Sequence, residues 1–336
     1  MKNALSLSVA AALVFASFAL PGTELHSSVK EKTKLSKVFE GKINFHSTSM
    51  SFKVDGQETE GAPGGIKIHL EESSRVEIGD EYGAPKDGKP STLKRTFDKL
   101  AGKTSQKIEL PESAGDHPPT DTSKERKSEL EGKTVLFTLG EGGEYKATFA
   151  DGKGDEDLLK KLEEDMDLRA LLPDGAVETD KSWDIDAKAF HSVLNVPGGD
   201  LKLEAEGEKD SGNKLGEQLQ ENAKGKAKGT YKGMREVDGK KYAVVALEAQ
   251  LKSEGERDET EKNPRAGVTG IEIEYSVEGE LLWDVEGGHF HSCKMESKAT
   301  LKMTNKVSME HQGEKHELER VTEFDGESVF EATIGG

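Results

Sequence analysis

Residues 270–306 read GIEIEYSVEGELLWDVEGGHFHSCKMESKATLKMTNK, and one period runs through the whole stretch. In its first half Ile271, Ile273, Tyr275, Val277, Leu281, Trp283 and Val285 take odd positions. Glu272, Glu274, Glu278, Glu280, Asp284 and Glu286 take even ones. After Gly287-Gly288 the odd positions hold Cys293, Met295, Ala299, Leu301, Met303 and Val307, and the even ones hold Lys294, Lys298, Lys302 and Lys306. Successive side chains of a strand point to opposite faces, so this pattern describes two long strands, each with one apolar face. A slip of one residue turns an apolar set to water, so odd positions must pair with odd ones. A three-residue loop at 286–288 meets that demand, with glycine available for the left-handed position. It sets Val285 opposite His289, Trp283 opposite His291, Leu281 opposite Cys293, Glu280 opposite Lys294 and Glu272 opposite Lys302. Glu278 meets Glu296, within diagonal reach of Lys294 and Lys298. A row of six acids invites thoughts of calcium or acid–base catalysis. The register gives those acids lysine partners, each exposed pair worth about 0.2–1 kcal/mol, and so describes a solvated face.

The same punctuation extends outward in both directions. Lys226 to Val237 and Lys240 to Leu251 flank Asp238-Gly239, a strong hairpin signal. Thr134 to Thr138 and Glu144 to Phe149 flank Gly140-Glu141-Gly142-Gly143, and Ile66 to Leu70 alternates. Residues 106–131, with His117-Pro118-Pro119, read as a surface loop in their middle, and 254–265, with Pro264, as another. One amphipathic helix is expected at about 155–172. Asp155, Glu156 and Asp157 lie at its start, Leu158, Leu162, Met166 and Ala170 fall four apart, and Pro173 and Gly175 stop it. Lys214 to Ala223 forms a second, more polar candidate. The expected fold is mainly β, with long antiparallel strands in one or two curved, half-barrel-like sheets and one packed helix.

Composition limits the function classes. Among 336 residues there are 47 Lys+Arg and 65 Asp+Glu, a formal charge of −18, which repels nucleic acid and anionic headgroups overall. Cys293 is the single cysteine, so no internal disulfide forms. No N-x-S/T acceptor occurs, and the two absences together favour a bacterial envelope over a eukaryotic secretory route. Residues 1–22, MKNALSLSVAAALVFASFALPG, pair Lys2 with an apolar run from Ala4 to Phe18 and small residues at Ser17 and Ala19. That is the form of a secretory signal peptide, and the run is too short to span a bilayer. The expected organisation is a signal peptide at 1–22, a flexible lead-in at 23–35, a β-rich half with the helix at 36–175, and an antiparallel β half at 176–336. The expected location is periplasmic or extracellular, with no integral membrane segment after signal cleavage.

Several constellations compete for chemistry. His289, His291, Cys293 and Met295 share one strand face by parity, a donor set that suits copper or zinc. Neighbours two apart on a strand are about 7 Å apart, however, which hinders convergence on one ion. Asp184 and Asp186 beside Trp183 offer a carboxylate pair for a hydrolase, and equally an ordinary alternating strand. Cys293 faces the apolar side, where a thiolate is disfavoured. Asp151 to Asp157 fails as a calcium loop because its twelfth position is Leu162. No G-x-S-x-G, H-E-x-x-H, C-x-x-C or P-loop occurs, so no cofactor is expected. Curved half-barrels enclose apolar cavities. The leading reading is therefore a non-enzymatic exported protein that binds a partner protein or an apolar small molecule, with Trp183, Tyr275, Trp283 and Met295 as lining residues. The alternatives are a carboxylate-dependent hydrolase and a metal-binding protein using His289 and His291.

Leu171-Leu172-Pro173-Asp174-Gly175-Ala176-Val177, followed by Lys181-Ser182-Trp183-Asp184-Ile185, resembles an L-P-x-x-x-V…S/T-W segment of uncharacterised exported bacterial β-rich proteins, many of them lipoproteins. The resemblance is best over about 130–200 and implies export and β architecture. It carries no activity and no site residues, and this chain lacks the anchoring cysteine of the lipoprotein members. Sequencing the N-terminus of exported material should find a start between about residues 20 and 24. A mature chain still beginning at Met1 would defeat the export reading.

Overall fold

The computed structural model describes residues 22–59, 65–86, 88–111, 118–194, 196–206, 214–258, 260, 267–311 and 314–335. The expected signal peptide, apart from Gly22, lies outside them, as do the centres of the two expected loops, 112–117 and 261–266. In chain order the strands are β1 (Thr23–Glu24), β2 (Lys34–Val54), β3 (Gln57–Glu58), β4 (Lys67–Tyr82), β5 (Pro85–Lys86), β6 (Lys89–Pro90), β7 (Thr92–Glu109), β8 (Thr120–Lys127) and β9 (Thr134–Leu139). They continue with β10 (Tyr145–Phe149), β11 (Ala176–Val177), β12 (Ser182–Ile185), β13 (Glu204–Ala205), β14 (Lys224–Val237), β15 (Lys240–Asp258), β16 (Val268–Asp284), β17 (His289–His311) and β18 (Glu314–Gly335). Two α-helices, α1 (Ala187–Leu194) and α2 (Lys214–Glu221), lie between them.

The large sheet runs β10-β9-β7-β4-β2-β18-β17-β16-β15-β14-β12, antiparallel throughout, with β3, β8 and β13 attached beside that path. It is open, as the expected half-barrel is. Its outermost strands, β10 and β12, have only 5 and 4 residues, which limits the unpaired edge offered to other chains. The last strand pairs with β2 over its length, so strands from both ends of the chain meet at the centre. The 134–149 hairpin and the Asp238-Gly239 hairpin form as expected. Asp238 and Gly239 both have positive φ, 53° and 79°, which a two-residue turn between twisted strands requires.

One face of this sheet is the inner face. Phe39, Val76, Phe97, Leu100, Phe330, Cys293, Met295, Leu281, Val245 and Leu247 fill it, all buried. Phe97 and Leu100 break parity yet both point inward, because β7 bulges opposite Glu77/Ile78. The stretch expected to be a flexible lead-in, 23–35, is instead packed. β1 pairs with β11, and Leu25 and Val29 are buried in the core. The expected loops are also shorter than read, since β8 occupies 120–127 and β15 runs on to Asp258.

The expected helix at 155–172 does not form. Only two 3-10 turns, Glu156–Leu159 and Arg169–Leu171, are helical there. Lys161 and Leu168 take left-handed backbone, and Leu162 makes a β-bridge with Gly199. The four-residue spacing holds, but tertiary demands on the acids between those apolar residues override it. Four acids, Glu163, Glu164, Asp165 and Asp167, crowd this stretch, and like charges at helical spacing repel. Asp167 is instead taken by Lys37, one of two buried cations of the sheet, and Glu164 and Asp165 by the half-buried Arg169. The more polar candidate, α2, is the one that forms.

Those buried cations are the main surprise of the fold. The side chains of Lys37 and Asp80 are fully buried and that of Arg95 almost so, each projecting from an adjacent strand among apolar neighbours. Lys37 Nζ donates to Asp80 Oδ2 at 2.7 Å and to Asp167 Oδ1 at 2.6 Å. Arg95 donates to both Asp80 oxygens at 2.8 and 2.9 Å, and Tyr82 OH donates to Asp167 Oδ1 at 2.7 Å. Arg95 Nη2 also donates to the Glu164 carbonyl, and the Arg169 guanidinium grips the Glu164 carboxylate. The segment 155–206 is thereby pinned across the inner face, where Met166, Leu168, Leu171, Phe190 and Val193 are buried. Burial pushes the Asp167 carboxyl up. The Lys37 and Arg169 charges, with hydrogen bonds from Lys37 and Tyr82, outweigh it and hold the pKa at about 2.

That value lies below the unfolded one near 4, so the Asp167 contribution is complete above about pH 4 and is lost as pH falls through 2. Asp167→Asn should cost about 3–5 kcal/mol at pH 7, because it leaves buried cations in excess. Urea melts of both chains from pH 7 to pH 2 should show the deficit shrinking toward the acid end. A deficit that ignores pH would mean that shape, not charge, holds the segment.

Candidate functional site

The long strands overshoot the segment that closes the inner face. Beyond it lies a second apolar cluster, with Ile68, Ile273, Leu301 and Phe324 buried at its centre. Phe45, Met50, Leu70, Ile108, Ile271 and Met303 surround them half-buried, and Leu219 of α2 packs against one side. Phe52, Val54, Val307 and Leu318, also half-buried, carry the strip toward the tip of the β17–β18 hairpin, where Met309 is 50% exposed. Strand parity places these on one face, with a bulge in β2 opposite Glu323/Phe324 that brings Met50, Phe52 and Val54 onto the face of Phe45. At its middle the Phe45 ring lies over Gly326. A Cβ there would clash with the ring, so glycine is what lets Phe45 lie down on the sheet.

A polar row separates the closed half from this open one. Glu72 pairs with Arg126, and the hydroxyls of Ser297 and Ser328 lie 2.6 Å apart. His191 of α1 meets the edge of Tyr275, with ring centroids 5.9 Å apart. Burial, helped by the Glu72 charge, pushes the Tyr275 phenol well up, and burial pushes the His191 imidazole down.

The four expected lining residues fall on different sides of that divide. Trp283 and Met295, at 0% and 1% exposure, belong to the closed core. Trp183 is half-buried, lies on Gly229 and donates Nε1–H to the Leu171 carbonyl at 3.1 Å, so it clamps the pinned segment. Tyr275 alone borders the open half and packs against both clusters.

The expected register holds from Val268 to Leu282 and fails at the tip. Leu281 meets Cys293, Glu280 meets Lys294 and Glu272 meets Lys302, but a bulge then sets Trp283 opposite Phe290 and Asp284 opposite His289. The cause is burial, since the shift brings Phe290 beside Trp283 in the core, both 0% exposed. His291 is displaced and stacks on Tyr242 at 4.2 Å, while His289 Nε2 stands 3.6 Å from Asp284. The two histidines thus have separate aromatic and carboxylate neighbours rather than a shared line of donors. Among the described residues no group of three or more His, Cys, Asp or Glu side chains is placed to hold a metal. Asp184 and Asp186 are both exposed, and Asp186 caps α1 by accepting from Lys188 N and Ala189 N. Burial pushes the Cys293 thiol up to about 12.

The outer face is laced with ion pairs, as its charge pattern demands. Lys302 reaches Glu272 at 3.3 Å, Lys252 reaches Glu274 at 3.2 Å, and Lys294 links Glu296 to Glu331. Glu280, though opposite Lys294, is held by both terminal nitrogens of Arg235. Sequence reasoning missed the open strip because its residues come from six strands, β2, β4 and β7 lying far in the chain from β16, β17 and β18. Its signal was the inward parity of Phe45, Ile68, Leu70 and Ile108, which continues past the residues that reach the core. No protein-family model matches the chain, and a search of curated proteins finds no match.

Because Trp283 is wholly inside closed packing, Trp283→Ala should cost about 3–5 kcal/mol in a urea melt. A loss near 1 kcal/mol would mean that the indole already abuts empty space and that the closed half holds a cavity.

Proposed function

We propose that this chain is a non-enzymatic exported protein, periplasmic or secreted, that binds an apolar ligand on the open half of its inner face. The observation that carries the reading is the apolar strip from Phe45 and Phe324 to Leu318 and Met309, on which, among the described residues outside the sheet, only α2 packs, through Leu219. In a chain that is 33% charged and has net charge −18, a contiguous apolar surface of this kind marks an interaction site. Its width supports a ligand laid along the strands, and its methionines, Met50, Met303 and Met309, suit an adaptable contact. The signal-like residues 1–22 support export, and among the described residues no helix is long and apolar enough to cross a membrane. The carboxylate and histidine alternatives lack a comparable feature, because their residues face solvent or are engaged in local contacts.

The test is titration of the mature chain with Nile red, an uncharged apolar dye. Its emission should shift blue on binding, while intrinsic tryptophan emission stays constant because both indoles lie in the closed half. Met303→Asp combined with Leu318→Asp should weaken binding about tenfold or more, with little change in melting, since both positions are half-buried. Dye emission that does not respond to the protein, or binding that survives the double substitution unchanged, would falsify this reading.

A further inference from the structure

The charge on the open half runs against the charge of the chain. Between the row that holds Glu72 and the row that holds Arg320, Glu72 is the only acid at an inward sheet position among the described residues, and it is engaged by Arg126. The inward cations there are Lys124, Arg257 and Arg320, and Arg126 reaches Glu72 from the next row. The outward positions of the same strands carry acids in quantity, among them Glu272, Glu274, Glu319, Glu323 and Asp325. A −18 chain therefore turns basic groups toward this open apolar surface.

The far row has the form of a polar rim. Arg320, Asn305, Thr269 and Arg257 are successive cross-strand partners on β18, β17, β16 and β15. Asn305 Nδ2 donates to Thr269 Oγ1 at 3.1 Å, which orders the centre of the row. Arg320 is exposed, with Phe52 as its other cross-strand neighbour and Leu318 two positions along its own strand. Ser297, in the near polar row, and Asn305, in the far one, are eight residues apart on β17, roughly 26 Å along the strand. The apolar band between them has the length of a long alkyl chain. Concave low-dielectric walls strengthen the field of charges at their rim.

We propose that the open face takes a single-chain amphiphile with an anionic headgroup, its alkyl chain along Phe324, Leu301 and Ile273 and its headgroup at the Arg320 row. This rests on the reading of the open face as an apolar-ligand site and adds the chemistry of the ligand. A guanidinium offers a forked set of donors that matches a carboxylate or phosphate ester, and such charge-assisted bonds are the strong ones.

The experiment compares dodecyl phosphate, dodecyl maltoside and dodecyltrimethylammonium, each below its micelle concentration, by displacement of Nile red from the mature chain. Dodecyl phosphate should bind about tenfold more tightly than the maltoside, the worth of one charge-assisted hydrogen bond, and the advantage should fall with salt. Arg320→Gln should remove most of that advantage and leave maltoside binding unchanged. Glu72→Gln, which removes the opposing charge, should leave dodecyl phosphate equal or tighter. Equal affinity for the three heads, or an advantage that survives Arg320→Gln, overturns the headgroup assignment while leaving the apolar site standing. Failure of all three amphiphiles to displace or bind overturns both. Light scattering on the same sample covers the remaining occupant. A dimer that Met309→Asp splits, with detergent binding appearing only after the split, gives the face to a second copy of this chain and overturns the proposal.

Discussion

Everything about the inner face depends on a buried quartet of charges. Lys37, Asp80 and Arg95 project from β2, β4 and β7 into the core, and none of them can stay charged there alone. The effective penalty for burying an ion is several kcal/mol even after relaxation. Asp80 serves both cations, which leaves one positive charge in excess on the sheet. Asp167 supplies the missing negative charge, and it comes from the irregular segment, not from a strand. The sheet alone is therefore electrostatically incomplete. It reaches neutrality only when 155–206 crosses it in one arrangement, with Asp167 between Lys37 and Tyr82. An apolar patch would accept many packings of a loop, whereas this network accepts the packing that satisfies its donors.

The position of that network decides where the molecule is closed and where it is open. Lys37 lies in the fourth position of β2, and Asp80 two residues from the end of β4, so the pinned segment sits over one end of the long strands. β2 has 21 residues and β17 has 23, roughly 70 Å at the strand rise. A short irregular segment fixed at one end cannot cover that length. The strands nevertheless keep their inward apolar parity beyond it, through Phe45, Leu301, Met303 and Leu318. The outward face shows the opposite economy. Lysines on β17 lie between glutamates on β16 and β18, so the exposed surface solves its own charge balance by register. Such pairs contribute little stability, but they disfavour register slips that set like charges together.

Much of the sheet was legible because alternation is a local signal. The 270–306 hairpin, the Asp238-Gly239 turn and the 134–149 hairpin need only parity and turn chemistry. The failures share one cause, which is that a tertiary partner outranked a local pattern. Leu158, Leu162, Met166 and Ala170 have helical spacing, but Asp167 was needed at Lys37. Trp283 was paired with His291 by counting, but Phe290 was the better core residue. The ion network itself left a trace. Leu35-Ser36-Lys37-Val38-Phe39, Ile78-Gly79-Asp80-Glu81-Tyr82 and Leu93-Lys94-Arg95-Thr96-Phe97 each place one charge at an inward position between apolar residues. Three such violations of parity on strands that turn out to be neighbours predict mutual compensation. The open strip left no equally local trace, since a half-buried Leu318 and a buried Leu281 are indistinguishable by alternation.

The division of labour between the two halves bears on what the open face can be. The residues with no exposure, among them Phe39, Trp283, Phe290 and Ala332, all lie in the closed half, as does the charge network. Stability is therefore concentrated where the segment is pinned. The open half holds its shape by strand pairing to that end and by the smaller cluster around Ile68, Ile273, Leu301 and Phe324, with Phe45 laid on Gly326 and Leu219 from α2 against it. The half-buried apolar residues that extend beyond that small cluster gain less from burial than the closed core does, and water selects against leaving them exposed. Residues such as Phe52, Met303 and Leu318 are thus poorly explained as unfinished core. On the proposed reading they form one side of an interface, and the polar rows at Glu72 and Arg320 set its limits along the strands.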